Sequence, residues 1–485
     1  MDAETPIRLR LDDATLLRRA ALLRAADSVR STVTDPATGA VLATVPALGA
    51  AEADMAVSRA AQAWPAWRGL STYARAAALA RWSALIRAHA EDLARIATAE
   101  QGKPLAEARG EVEYAASFPE WFAAESQRIA DEMPPPHLPD CRVEIRRVPV
   151  GIVAAATPWN FPLAMLTRKA GAALAAGCPI VVHPAEETPL SALALAELAE
   201  RAGVPADVMG VVTGAPEPIV GTWCADRRVS ALSFTGSTEI GRRLLAACAP
   251  TIKRVQLELG GHAPFIVFDD VTLEEAVAGA IAAKFATSGQ DCLAANRIYI
   301  HRALYARFLE AFTAAVTALP VGSGFDPASR IGPLMHARAA AKCEAHVADA
   351  VANGARLLTG GSRHKLGGTF FAPTVLADVT PGMRIYREET FGPVAAVLPF
   401  EPSDDIAAMA NDSDYGLAAY LYTRDAARIA RLVEALDYGL IGVNRVRMTG
   451  PPVPFGGMKQ SGLGREGSRL GIEAFSETKT ICLAA

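Results

Sequence analysis

The chain has no cysteine framework. Its seven cysteines, at 141, 178, 224, 248, 292, 343 and 482, fall without a CxxC or Cys/His metal spacing, and an odd, scattered set in a long chain reads as reduced thiols in a reducing compartment, pointing to the cytoplasm. A basic excess is missing too. With 48 Lys+Arg against 52 Asp+Glu the net charge is -4, so nothing attracts nucleic acid or a membrane surface. The opening residues mix Asp2, Glu4, Asp12 and Asp13 with arginines and lack an apolar stretch, which argues against a secretory signal. The longest apolar run, 148–166, is interrupted by Asn160 and three prolines and reads as a buried strand and turn rather than a membrane helix. Gly462-Leu-Gly464-Arg-Glu-Gly467 matches G-x-G-x-x-G, but no strand or βαβ unit precedes it, so it reads as a turn.

What is present is apolar and long. Apolar residues make up 51% of 485, which predicts a globular protein of two or more domains. Residues 50–133, rich in Ala, Arg and Glu with apolar residues at helical spacing, predict a run of helices. The prolines of 134–139 break that pattern. Cys141 to Val150 then alternates apolar with charged residues, predicting an exposed ribbon that the strand-like end, 477–483, can pair with. From 151 to 260, short strand-like runs near 151–156, 179–182, 208–212, 231–234 and 254–259 alternate with alanine-rich helical segments, the pattern of βαβ units and a parallel sheet. A second strand–helix series follows 261, with runs at 264–268, 297–300 and 392–398. At the carboxyl ends of the first set stand Thr157-Pro-Trp-Asn160, His183-Pro-Ala-Glu186 and Thr235-Gly-Ser237, where ligands of such sheets bind.

Lys284-Phe-Ala-Thr-Ser-Gly-Gln-Asp-Cys292 follows a helix-like run and predicts a loop that presents Cys292. Cys178, Cys224, Cys248 and Cys343 sit in helical or alanine-rich surroundings and read as buried hydrophobes; Cys292, flanked by polar residues and glycine, does not. A free thiol has a pKa of about 8.5 and needs help to become a nucleophile. Glu258, ending an apolar run, is the candidate base.

Pro158-Trp-Asn-Phe-Pro162, Phe234-Thr-Gly-Ser-Thr-Glu-Ile-Gly241, Glu258-Leu-Gly-Gly261, Gly289-Gln-Asp-Cys292, Glu388-Glu-Thr-Phe-Gly-Pro393 and Pro454-Phe-Gly-Gly457 resemble, in order and spacing, the motifs of the NAD(P)-dependent aldehyde dehydrogenase superfamily. Thr188 to Leu198 is similar to its succinate-semialdehyde dehydrogenase branch. The resemblance implies an α/β fold with two Rossmann-like domains and a small β ribbon for oligomerisation: residues 1–133 and 149–257 binding cofactor, 134–148 and 475–485 forming the ribbon, and 258–474 carrying catalysis. It also implies a homodimer or homotetramer. By the same resemblance Cys292 attacks the aldehyde, Asn160 and the Cys292 N–H hold the oxyanion, Glu258 activates water, and Lys169 relays protons. NAD, with NADP as the second choice, would lie on Thr157, Pro158, Trp159, His183, Glu186, Gly236, Ser237, Leu259, Glu389 and Phe391. Arg168 matches an arginine that clamps a distal carboxylate; the family's second arginine aligns with Ala286 and its loop serine with Thr449, so Arg445 and Arg447 are the expected replacements.

The sequence departs from the pattern at His183, where lysine is usual, at Asp291 before the nucleophile, at His262 after the double glycine, and at Ala294 in place of a second cysteine. Three other readings stand beside dehydrogenation of a semialdehyde to the acid. An acylating enzyme releasing to coenzyme A is disfavoured by Glu258, a cysteine hydrolase by the lack of a histidine motif for Cys292, and a non-enzymatic scaffold by the intact Cys292, Asn160 and Glu258.

Overall fold

The computed structural model describes residues 30–484; the acidic and basic opening segment lies outside them. Four helices, Ala50–Gly69, Thr72–Ala88, Ala90–Gln101 and Leu105–Ser126, fill the stretch predicted to be helical. The Ser71 side chain caps the second by accepting from the Ala74 N–H, and Gly102, at φ 91°, ends the third, a conformation glycine adopts without a Cβ penalty. A hairpin, Arg30–Thr34 with Val41–Pro46, was not expected, because of its eleven strand residues only Val33, Val45 and Pro46 are buried and it lacks the apolar alternation that marks a strand.

The first sheet has six strands in the order Gly462–Leu463, Arg254–Glu258, Val229–Thr235, Ile152–Thr157, Ile180–Pro184 and Met209–Val211. All are parallel except Gly462–Leu463, so Thr157, Pro184, Thr235 and Glu258 end together on one edge. Every residue of Ile152–Thr157 is buried, as expected of a parallel strand covered on both faces. Helix Ala164–Ala176, buried along almost its whole length, lies between this sheet and the helix Leu105–Ser126.

The second sheet has seven strands, ordered Arg356–Thr359, Thr374–Ala377, Val394–Phe400, Ala295–His301, Ala263–Val267, Ala418–Tyr422 and Leu440–Val443, with only the first antiparallel. Cys141–Pro149 pairs antiparallel with Ser476–Ala484 over its full length, from Pro149 opposite Ser476 to Cys141 opposite Ala484. Residues 462–473 belong in space to the first sheet, although they follow the second in sequence. Gly462, at φ 148°, brings its backbone so near the first sheet that a Cβ there would lie 2.1 Å from the Leu257 carbonyl, and Gly471 packs on Phe122. Among the described residues no helix is long and apolar enough to cross a membrane.

Candidate active site

The helix Leu273–Phe285 ends in a short turn, Ala286–Gly289, in which Thr287, Ser288 and Gly289 all have positive φ. Three such residues in succession reverse the chain and bring Cys292 out of the helix axis; two of them are not glycine, which costs energy that neighbouring contacts must offset. Those contacts are present. Glu107 accepts from the Thr287 N–H at 2.9 Å and its hydroxyl at 3.1 Å, the Ser288 hydroxyl donates to the Gly332 carbonyl at 3.0 Å, and the Gln290 side chain accepts from the Met335 N–H at 2.9 Å. A Cβ on Gly289 would meet the Gly392 carbonyl at 2.3 Å, and one on Gly261 would meet the Cys292 carbonyl at 2.1 Å. The nucleophile loop is thus wedged between two backbone segments with room only for glycine.

Asn160 is buried and its side-chain amide donates to the Gln290 carbonyl at 3.0 Å, which ties it to the Cys292 loop and leaves its second N–H for another acceptor. Its backbone carbonyl accepts from Lys103 Nζ at 2.7 Å, and the same ammonium pairs with Glu111 at 2.5 Å. Glu111 in turn accepts from the Leu163 and Ala164 N–H groups at 2.9 and 3.3 Å, at the start of the helix Ala164–Ala176. Lys103, Glu107 and Glu111 were missed by sequence reasoning, since a lysine and two glutamates on an alanine-rich helical stretch look like a solvated face.

Glu258 is the last residue of its strand, buried, with neither carboxylate oxygen bonded to a described residue. Burial raises its pKa to about 8, against the opposing pull of Arg168. Burial also pushes the Cys292 thiol well up, reinforced by the charges of Asp291, Glu258 and Glu389. In the free protein the thiol is held as S–H at neutral pH.

Arg168 and Lys169 are both buried and both pair with Glu466, Arg168 at 2.6 Å. Burial alone would raise the Glu466 carboxyl, but the charges of Lys169 and Arg168 outweigh it and hold the group below its ordinary value. The Arg168 guanidinium lies 4.1 Å over the Phe455 ring, and its Nη1 has no acceptor among the described residues. Lys169 also donates to the Ser233 hydroxyl at 3.0 Å and reaches Glu258 only through its charge. Glu466 sits inside the glycine-rich segment read as a turn. It is a turn, and the chemistry it carries is this carboxylate, invisible as a partner because it lies almost 300 residues away in the chain.

The candidate cofactor residues line the carboxyl edge of the first sheet. Thr157 is buried and Trp159 partly exposed, with its ring edge-on to Phe391 at 5.6 Å; Phe391 has φ 54°, an outlier for a bulky residue. Glu389 accepts from the Gly261 N–H at 3.0 Å, and burial raises its pKa to about 7. Gly236 donates its N–H to the Glu258 carbonyl at 3.0 Å, so the amides open to a phosphate at this helix start begin at Ser237, which caps Thr238–Cys248 through Ile240. Leu259 is buried against Gly241. His183 is buried with Nδ1 3.0 Å from the Val212 carbonyl, while Glu186 is exposed. A dinucleotide fits this edge: Thr235 Oγ1 is buried without a described partner, directly before the helix start. Arg445 and Arg447 are exposed, and Arg445 Nε donates to the Arg447 carbonyl at 2.6 Å. No described contact joins either of them, or Thr449, to Arg168 or Cys292.

Two parallel α/β sheets, a loop-borne thiol at their meeting point and a buried carboxylate of raised pKa facing a dinucleotide edge define an NAD(P)-linked oxidoreductase. The chain belongs to the aldehyde dehydrogenase family, whose profile matches residues 23–481. It is 51% identical to succinate-semialdehyde dehydrogenase [NADP(+)] GabD of Escherichia coli over 98% of this chain and 100% of that one. It is 53% identical to a non-phosphorylating aspartate-semialdehyde dehydrogenase of Halomonas elongata over 93% of this chain and 92% of that one. The crystal structure of succinate-semialdehyde dehydrogenase from Burkholderia pseudomallei superposes with a TM-score of 0.93 at 52% identity, covering 94% of this chain and 95% of that chain. The expected fold class and the expected activity class, an NAD(P)-dependent aldehyde dehydrogenase, both hold.

Proposed function

We propose that the substrate is an aldehyde bearing a distal carboxylate, succinate semialdehyde first and the longer glutarate semialdehyde second, oxidised to the dicarboxylic acid. The observation that carries this is an open donor: Arg168 and Lys169 share the single carboxylate of Glu466, and Arg168 Nη1 is buried with no acceptor among the described residues. A buried guanidinium N–H left unmet costs free energy, and a substrate carboxylate would satisfy it. The free Nη1 of Arg168 is the donor for it, with Arg445, Arg447 and Thr449 on the loop nearer solvent.

In this reading Cys292 Sγ adds to the aldehyde carbon, and the oxyanion takes hydrogen bonds from the remaining Asn160 amide N–H and the Cys292 N–H. Bound nicotinamide, held by Trp159, Glu389 and Phe391 with Thr157, Pro158, His183, Glu186, Gly236, Ser237 and Leu259 along the rest of the edge, supplies the hydride acceptor. The thioester on Cys292 is then hydrolysed by water that Glu258 deprotonates, with Lys169 relaying the proton. The presence of Glu258 argues for release to water, so NADH formation should not depend on coenzyme A. Of the described residues, 30–133 and 149–257 would form the cofactor-binding domain and 258–474 the catalytic one, save that 462–473 pack with the former.

The test compares kcat/KM for succinate semialdehyde, glutarate semialdehyde and butanal in the wild type, Arg168→Ala and Arg168→Lys. A lost charge-assisted hydrogen bond contributes about 1.5–3 kcal/mol, so the acids should lose roughly ten- to a hundredfold in Arg168→Ala, with partial recovery in Arg168→Lys. Equal use of butanal by the wild type, or parallel losses for all three substrates, would overturn the carboxylate reading.

A further inference from the structure

Cys292 has an acidic neighbour that oxidation of a simple semialdehyde does not use. Asp291 is partly exposed alongside Cys292 and Leu293, so it reaches the same accessible space. One of its oxygens accepts from the Leu293 N–H at 2.9 Å, and Tyr420 Oη donates to the Leu293 carbonyl at 2.9 Å. These bonds fix the turn and keep the Asp291 carboxylate beside the thiol. Its nearby cations are committed elsewhere, Lys103 to Glu111 at 2.5 Å and Arg168 to Glu466 at 2.6 Å. The carboxyl groups that feel its charge are Glu107 behind the loop and Glu389. A carboxylate so placed has no ion pair of its own among the described residues, since Lys103 and Arg168 act on it only at longer range, and it opposes the thiolate that catalysis needs.

We propose that Asp291 is a specificity residue that pairs with an ammonium group on the substrate, so that the preferred substrates are amino-substituted semialdehydes, with 2-amino-4-oxobutanoate, the amino analogue of succinate semialdehyde, as the first candidate. The inference rests on the carboxylate-bearing semialdehyde reading and adds a second recognition point to it. The substrate carboxylate would face Arg168 Nη1 and the ammonium Asp291, two groups of opposite sign whose charges both act on Cys292. A bound ammonium offsets the Asp291 charge and so favours the thiolate at the moment the aldehyde is in place. A substrate without it leaves Asp291 uncompensated, and a substrate with it is therefore distinguished at the step of nucleophile activation as well as at binding.

The experiment measures kcat/KM for 2-amino-4-oxobutanoate, succinate semialdehyde and propanal in the wild type, Asp291→Asn and Asp291→Thr. The wild type should favour the amino compound over succinate semialdehyde by roughly tenfold or more, the size of one charge-assisted pair, and either variant should bring that ratio to one or below. Iodoacetamide labelling of Cys292 should move to lower pH in Asp291→Asn, a shift that a merely structural role would not give. In the wild type alone, aspartate should protect Cys292 from iodoacetamide at a lower concentration than succinate, which decides the matter even where a variant fails to fold. A wild-type preference for succinate semialdehyde, a ratio unchanged by Asp291→Asn, or equal protection by the two acids would overturn the role of Asp291. Oxidation of propanal with neither semialdehyde used would instead overturn the carboxylate reading beneath it.

Discussion

Glu258 is the residue on which pH acts most directly. Burial lifts its pKa to about 8, and only the ionised form is a base, so its active fraction grows as pH rises through that value and falls below it. Where hydrolysis of the thioester limits turnover, kcat should therefore climb from pH 7 to 9 and then level off. Glu258→Gln should leave a rapid burst of NADH followed by slow turnover, whereas Cys292→Ala should remove both phases. Stopped-flow absorbance separates them, and an equal loss of burst and steady state in Glu258→Gln would show that this carboxylate does not act in hydrolysis. His183 bears on the cofactor. Burial lowers its pKa, leaving a neutral ring where a fixed cation would be needed for a 2′-phosphate, and burial together with Glu187 and Glu217 raises the pKa of the nearby Glu186. An acidic neighbourhood whose nearby cation, Arg338, already acts on Glu187 disfavours extra negative charge, so kcat/KM should be higher with NAD than with NADP. A higher value with NADP would sink that argument.

At the scale of elements, the site is made by backbone segments pressed against one another rather than by side chains alone. The turn Ala286–Gly289, the strand end at Glu258 and the segment Glu389–Gly392 approach so closely that Gly261 and Gly289 have no room for a Cβ. Gly261→Ala would need the Cys292 carbonyl to retreat by about 1 Å, and a displacement of that size in a nucleophile is worth on the order of a hundredfold in rate. Steady-state kcat should fall accordingly while cooperative unfolding persists in calorimetry; turnover at the wild-type level would mean that the loop yields without moving the thiol. Lys103 acts in the same way, binding Glu111 and the Asn160 backbone carbonyl, so that the candidate oxyanion donor is held from the connection between two helices outside both sheets.

The molecule as a whole presents its ribbon, Cys141–Pro149 with Ser476–Ala484, as a two-stranded sheet whose outer edges are open among the described residues except where Ile145 exchanges backbone hydrogen bonds with Glu132, and such an edge is a template for further pairing. Large apolar side chains are exposed at Ile240, Leu245, Ile252, Leu463 and Leu470, Ile252 at 91%. Together they support the homodimer or homotetramer expected from the sequence. Light scattering should give a multiple of the 50.9 kDa chain mass, and removal of residues 476–484 should lower that multiple. A mass near one chain for the intact protein would rule the assembly out.

The sequence by itself determined the local elements and the candidate reacting groups. Helical periodicity over 50–133, the apolar runs that became parallel strands and the alternation at 141–150 each reflect a preference carried by neighbouring residues, and Cys292, Asn160 and Glu258 stood out because motif spacing is a local property. Only the tertiary structure decided their partners. Glu466 reaches Arg168 and Lys169 across almost 300 residues, Glu107 reaches Thr287 across 180, and the carbonyl of Cys292 meets Gly261 through the fold alone. Contacts of that span leave no periodic trace in the chain, and the burial that raises Glu258 and, with the neighbouring acids, holds the Cys292 thiol protonated is a property of the packed molecule.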